Sequence, residues 1–291
     1  YDIKVETIPW NISIELDAEK LIENYRHYKI DMAIIDHYRA NETYQQRLHT
    51  SGVRFLQFDG CTKEAFWADV ILNPSFDAKN CIYKTKIKRS KTKVLQGPKF
   101  AFLRNEFRNW KGNSSVKKNV TKILFSFGGG DDQGATLFTL KATQPLAHNL
   151  ERIVLVSSHN PRLTEILEYA AAFRYMNINV RVDEKEIAKL MTSADIGIIS
   201  GGTTLFEAAA MGLPALILQI AGNQERNARA CHEAGIAINL GDINQISCDF
   251  LKEKLSELMI DFSLRKSMAT KGPLKVDCMG PTRVAKFLLD F

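Results

Sequence analysis

The stretch ADIGIISGGTTLFEAAAMGLPALILQIAGNQERNA, Ala194 to Ala228, decides how the chain is read. It runs as strand, glycine turn, helix, proline-started strand and a polar loop opening a further helix. Asp195-Ile-Gly-Ile-Ile is a short apolar run suited to a buried parallel strand. Ser200-Gly201-Gly202-Thr203-Thr204 follows at once, and Leu205 to Gly212 has helical composition that ends on glycine. Small residues at a helix N-terminus present free N–H groups and the positive end of the helix dipole, which suits a phosphate. Glu207, one turn inside, offers a carboxylate able to accept two hydroxyl protons, as from a ribose diol. The same residues also suit a plain strand–helix turn with an acidic group favoured by the dipole.

The whole pattern, S-G-G-T-T-x-x-E-A-x-x-x-G-x-P and then N-Q-x-x-N-A after a strand, is more specific than its turn. It resembles the nucleotide half of two-domain, glycosyltransferase-B-type enzymes. Within that group it is most similar to the UDP-sugar hydrolases of pseudaminic acid synthesis and their spore-coat-polysaccharide relatives. The likeness to the lipid-II-forming N-acetylglucosaminyltransferase is more distant and confined to about residues 120–290. The resemblance implies that Glu207 holds the ribose and that Ser200, Gly201, Gly202, Thr203 and Thr204 hold the diphosphate. It further implies that Asn223 and Gln224 face the sugar, and that backbone near Val182 meets the uracil.

A chain of 291 residues, 45% hydrophobic and 25% charged, has the length for two globular domains and an ordinary soluble composition. Its longest apolar run, Ala208 to Ile220, is interrupted by Gly212, Pro214 and Gln219 and falls short of the ~18 residues that span a membrane. The first residue is Tyr, and no signal peptide is visible. Cys61, Cys81, Cys231, Cys248 and Cys278 are odd in number, with no C-x-x-C pair, which points to reduced thiols in a cytoplasm rather than zinc or disulfides. Part of the net charge of +6 sits in Lys84, Lys86, Lys88, Arg89, Lys91 and Lys93. That run reads as a solvated loop or strand edge, or as a surface for an anionic partner or membrane. Aromatic residues do not interleave with it, so no nucleic-acid partner is expected. Protein partners are left open.

Taken in order, Asp2–Ile8 alternates like a strand, and Asp17 is placed to cap a helix over 18–28. Met32–Ile35 reads as a buried strand, followed by a helix over 41–50 and strands at 53–58 and 70–72. Asp36, His37 and Tyr38 follow the first of these strands, where ligands bind in open α/β sheets. Asp-His-Tyr at this place is also what the hydrolase family shows. Gln96–Phe107 resembles the family's G-x-x-Y-x-x-L-R-x-E-F stretch with Phe100 in place of tyrosine. Arg104 and Glu106 there are expected to order the domain junction or to pair at the surface. Residues 110–119 are polar, with glycine and serine, and suit a linker. A strand over 122–127 leads to Gly128, Gly129 and Gly130, expected to let the sugar or diphosphate approach closely, and then to Asp131 and Asp132, which most simply cap a helix over 134–147. Neither G-x-G-x-x-G nor a P-loop is present. Strand–helix units follow at 153–173 and 178–193, and helices at 247–259 and 261–270. Near the end the family shows D-G-x-G-x-x-R-V, where this chain has Cys278 in place of a glycine.

The expected fold is thus α/β, with two Rossmann-like doubly wound domains of glycosyltransferase-B type. The expected division is an N-terminal domain over 1–108, a linker over 109–119, a UDP-binding domain over 120–272, and a segment over 273–291 whose helix crosses back. The first domain reads as truncated, because the family's G-x-G-H-x-x-R loop, which carries the general base, has no counterpart here. Asp36, His37 and Tyr38 are then the catalytic candidates, with His37 able to serve as a base among them. With no D-x-D pair and two helix N-termini for the diphosphate, no metal and no cofactor are expected. The leading expectation is a UDP-sugar hydrolase releasing UDP and a free diacetamido-trideoxyhexose. A UDP-sugar-dependent glycosyltransferase and a non-catalytic UDP-sugar-binding protein are the alternatives.

Overall fold

The computed structural model describes residues 3–9, 11–60, 64–80, 83–146 and 149–291. The chain separates into two compact units, Tyr1–Pro74 with Ala78–Gly97, and Ser75–Asp77 with Pro98–Phe291. The boundary therefore falls at Gly97, ahead of the expected 108. Phe107, fully buried, explains the difference, because it packs into the core of the second unit.

The first unit comprises α1 (Ile14–His27), β1 (Ala33–Ile35), α2 (Glu42–Thr50), β2 (Phe55–Phe58), β3 (Val70–Asn73) and β4 (Lys93–Gln96). All four strands are parallel, in the order β1-β2-β3-β4. Ser13, not Asp17, caps α1, its hydroxyl accepting from the Leu16 N–H at 3.2 Å. Asn41 caps α2 in the same way at 3.0 Å. The expected strand over 2–8 does not form across the described residues 3–8. Alternation makes a strand only beside a partner, and Ile3 and Val5 are largely in solvent. Ala18, Ile22, Leu48, Phe55 and Ile71 pack together as this unit's core.

The second unit opens with α3 (Asn105–Trp110) and β5 (Lys122–Ser126), then α4 (Ala135–Thr143), β6 (Glu151–Val156), α5 (Leu163–Ala172) and β7 (Ile178–Val182). The chain continues through α6 (Ile187–Ser193), β8 (Ile196–Ser200), α7 (Thr203–Ala210), β9 (Ala215–Gln219), α8 (Glu225–Glu233) and β10 (Ile238–Asp242). It ends with α9 (Cys248–Ile260), α10 (Phe262–Lys275) and α11 (Gly280–Leu289). The sheet is wholly parallel in the order β10-β9-β8-β5-β6-β7. Strand order reverses between β5 and β8, and the carboxyl ends of those neighbours are where a doubly wound sheet binds ligands.

Both sheet faces are covered, as their continuous apolar strands require. Ile123, Phe125, Ile196, Ile198, Leu216 and Leu218 join one core with residues of α4 and α9, while Leu124, Ile199 and Ile217 join the other with α7. Burying each such side chain stabilises the fold by ~1.5–3 kcal/mol. Two buried arginines complete the unit. Arg152 donates to the carbonyls of Thr143, Leu150 and Met176, and Arg265 to those of Lys117, Lys118, Leu258 and Met259. Helix α11 packs on the turn Pro98–Phe100, a contact internal to this unit. A Cβ on Gly280 would lie 2.1 Å from the Ala101 carbonyl oxygen, so only glycine fits there.

Candidate functional site

The carboxyl ends of β5, β6, β7 and β8 surround a cavity of about 470 Å³ lying wholly within the second unit. Its wall takes Ser126 to Gly129 from the end of β5, Ser157 from the end of β6, and Asp183 and Glu184 from beyond β7. From β8 and α7 come Ser200, Gly202, Thr203, Thr204 and Glu207, with Gln224 and Arg104 closing the rim. The volume suits a small organic ligand. Among the expected binding residues, Gly130, Val182, Gly201 and Asn223 are not part of this lining.

The turn after β8 is held by Gln224. Its Oε1 accepts from the Gly201 N–H at 3.2 Å and from the Ile220 N–H at 3.1 Å. The Gly201 N–H is therefore engaged inside the protein rather than offered to a ligand. Those of Gly202, Thr203 and Thr204, in contrast, donate to no acceptor among the described residues. Helix α7 starts at Thr203, so these groups are the unsatisfied donors of its first turn and carry its positive dipole end into the cavity.

Gly128 has φ +100, a backbone conformation that favours glycine, and no Cβ on Gly128, Gly129 or Gly130 would touch anything. The open space fits close approach of a ligand to this backbone. The N-terminus of α4, however, is already occupied. Buried Asp132 accepts from the N–H groups of Gly134 at 3.0 Å and Thr136 at 3.0 Å. Of the two helix N-termini expected to hold the diphosphate, that of α7 lines the cavity and that of α4 is capped by Asp132.

Glu207 lies in the second turn of α7 with its side chain 14% exposed. Burial pushes its carboxyl up to about 7, the Arg104 guanidinium 3.7 Å away opposes that shift, and Glu106 adds to it. Arg104 also lies 2.9 Å from Glu106, whose other oxygen accepts from the Ala188 N–H at 3.3 Å. Among the described residues of the lining, Arg104 is the one cation, beside three carboxylates, and it pairs with Glu106 and Glu207. Asp183, with φ 50, donates its N–H to the Val156 carbonyl and accepts from the Ser158 N–H at 2.9 Å. Hydrogen bonds from Ser158 hold its carboxyl below the usual range. It thereby ties the ends of β6 and β7 together. Ser157 and Asp183 were not singled out from sequence, although both stand at carboxyl ends of parallel strands, the signal that would have found them.

Asp36, His37 and Tyr38 stand at the carboxyl end of β1 in the first unit. Asp36 and His37 line a separate cavity of about 300 Å³ with Asp17, Arg39 and Tyr44. The Arg39 N–H donates to His37 Nδ1 at 3.2 Å. Tyr38 is 95% exposed and is not part of that lining. Cys231, Cys248 and Cys278 are free thiols, whereas Cys61 and Cys81 lie outside the described residues. Among the described residues no helix is long and apolar enough to cross a membrane, and no acidic, His or Cys group forms a metal cluster.

No protein-family model matches the chain. The spore coat polysaccharide biosynthesis protein SpsG of Bacillus subtilis is 22% identical over 294 aligned residues, covering 97% of this chain and 84% of SpsG. The UDP-2,4-diacetamido-2,4,6-trideoxy-beta-L-altropyranose hydrolase of Campylobacter jejuni is 27% identical over 228, covering 77% of this chain and 80% of the hydrolase. Among solved structures, MurG of Acinetobacter baumannii superimposes with a TM-score of 0.68 at 15% identity, covering 100% of this chain and 84% of MurG. UDP-GlcNAc 2-epimerase of Neisseria meningitidis, solved bound to UDP-GlcNAc, gives 0.67 at 14%, covering 98% and 84%. The chain is thus similar to SpsG and to the altropyranose hydrolase, and it has the two Rossmann-like units of the glycosyltransferase-B-type fold.

Proposed function

We propose that this relative of SpsG and of the altropyranose hydrolase is a UDP-sugar hydrolase of surface-polysaccharide or nonulosonic acid biosynthesis. Water attacks the anomeric carbon, the bond to the diphosphate breaks, and UDP and a free diacetamido-trideoxyhexose leave. The observation that carries this reading is the pairing of three unengaged N–H groups at the start of α7 with a buried carboxylate one turn later. In the proposed complex Gly202, Thr203 and Thr204 hold the diphosphate and stabilise its charge as it departs, a task that needs no metal. The Glu207 carboxylate accepts from the ribose hydroxyls, and the backbone after β7 meets the uracil. Gly128 and Gly129 let the diphosphate or sugar lie against the chain.

Asp36, His37 and Tyr38 are the proposed source of water activation, His37 Nδ1 taking the proton once it lets go of the Arg39 N–H, since a general base typically contributes ~10²–10⁴-fold. The free cysteines fit a reducing cytoplasm, where the reaction is proposed to run without a cofactor. Incubation with a UDP-diacetamido-trideoxyhexose tests the activity. Release of UDP and free sugar in equal amounts is expected, with a ~10²-fold loss or more in His37→Ala. Release of UDP only when a sugar acceptor is added would instead identify a glycosyltransferase.

A further inference from the structure

Gln224 has a role that its place on the cavity rim does not by itself suggest. Both N–H groups that its Oε1 receives belong to residues just past strand ends, Gly201 after β8 and Ile220 after β9, where the sheet ladder has stopped. Gly201 is buried, and a buried N–H without an acceptor is costly. The side chain also sets the shape of the turn. A Cβ on Gly201 would lie 3.0 Å from the Gln224 Cβ, and one on Gly202 would lie 3.7 Å from its Nε2. With the oxygen turned toward the backbone, the amide NH₂ lies on the Gly202 side, beside the unengaged donors of α7.

We infer that Gln224 is a positioning residue: it clamps the glycine turn so that the N–H groups of Gly202, Thr203 and Thr204 converge on one anion. This deepens the reading that the turn binds the diphosphate, and it rests on that reading. The clamp acts on the phosphate end of the ligand alone. Its loss therefore lowers affinity for UDP while leaving affinity for uridine, which has no phosphate, nearly as it was. A residue that merely supported the cavity would affect both ligands equally.

The test uses Gln224→Leu, which removes the acceptor, and Gln224→Glu, which keeps it but replaces the NH₂ by a charged oxygen beside the anion. Calorimetry with UDP and with uridine is combined with amide exchange over residues 199–206 of the unliganded chain. In Gln224→Leu the expected results are faster exchange in that segment, UDP affinity lower by about tenfold to a hundredfold, and uridine affinity within about threefold. In Gln224→Glu the segment stays protected while UDP affinity falls, so a folding defect in the first variant does not decide the matter. Unchanged UDP affinity in Gln224→Leu, or equal losses for UDP and uridine, overturns the clamp while leaving the functional reading intact. If the wild-type chain binds neither ligand, the functional reading fails. Exchange then decides alone: unchanged protection in Gln224→Leu overturns the clamp, and lost protection upholds it as a turn-setting group.

Discussion

Replacing Glu207 by glutamine should weaken ligand binding and at the same time stabilise the free protein at alkaline pH. In the unliganded chain burial lifts the Glu207 carboxyl from 4.5 to about 7. A carboxyl whose folded-state pKa exceeds its unfolded value holds its proton more tightly when folded. Its favourable effect on stability is complete below about pH 4.5 and is lost as pH rises through about 7. The shift corresponds to ~3 kcal/mol. Glu207→Gln carries no charge to desolvate and keeps that stability at pH 8. Binding moves the other way. A ribose diol donates to the ionised form, and a hydrogen bond to a charged acceptor is worth ~1.5–3 kcal/mol, roughly tenfold to over a hundredfold in affinity. At pH 6 about a tenth of wild-type molecules carry the carboxylate, so affinity there is expected about tenfold below its plateau. Urea titrations at pH 5 and pH 8 read the first effect. Calorimetry with UDP-N-acetylglucosamine, whose diphosphate has no ionisation near neutrality, reads the second. A variant that binds as tightly as wild type at pH 8, or that is less stable there, would refute the reasoning.

Arg104→Ala removes the one cation opposing the burial of Glu207, so the midpoint of pH-dependent binding should move upward, and a downward move would contradict the assigned pairing. Asp132→Ala should cost ~1–2 kcal/mol by urea titration through loss of the α4 cap, with UDP affinity by calorimetry nearly unchanged, because that helix end is not offered to the ligand. UDP binding measured by calorimetry should survive excess EDTA, and loss restored by magnesium would overturn the assignment of the diphosphate to backbone N–H groups.

Much of the second unit is legible in sequence because its strands are apolar runs closed by glycine turns. Phe125 and Ile198 leave no alternative to a buried sheet. Strand β4 was legible only as one of two readings of the basic run, a loop or a strand edge, since Lys93-Val-Leu-Gln has two apolar residues and continues that run, as an edge strand tolerates. The N-terminal alternation misled for the opposite reason, since pattern alone supplies no pairing partner. At the site, the glycine turn and Glu207 announce themselves through local spacing. Arg104 does not, because its proximity to Glu207 joins residues far apart in the chain. The use of Gly201 inside the protein was equally hidden, because a glycine at a helix start looks the same whether it serves a ligand or the fold, whereas the capping role of Asp132 was legible.

The central claim, that the cavity of the second unit receives a UDP moiety on the first turn of α7, is tested most directly by a crystal structure of the chain with UDP. The expected result is diphosphate oxygens at roughly 2.7–3.2 Å from the N–H groups of Gly202, Thr203 and Thr204, with the ribose hydroxyls on Glu207. UDP bound elsewhere, or with its ribose away from Glu207, would contradict it.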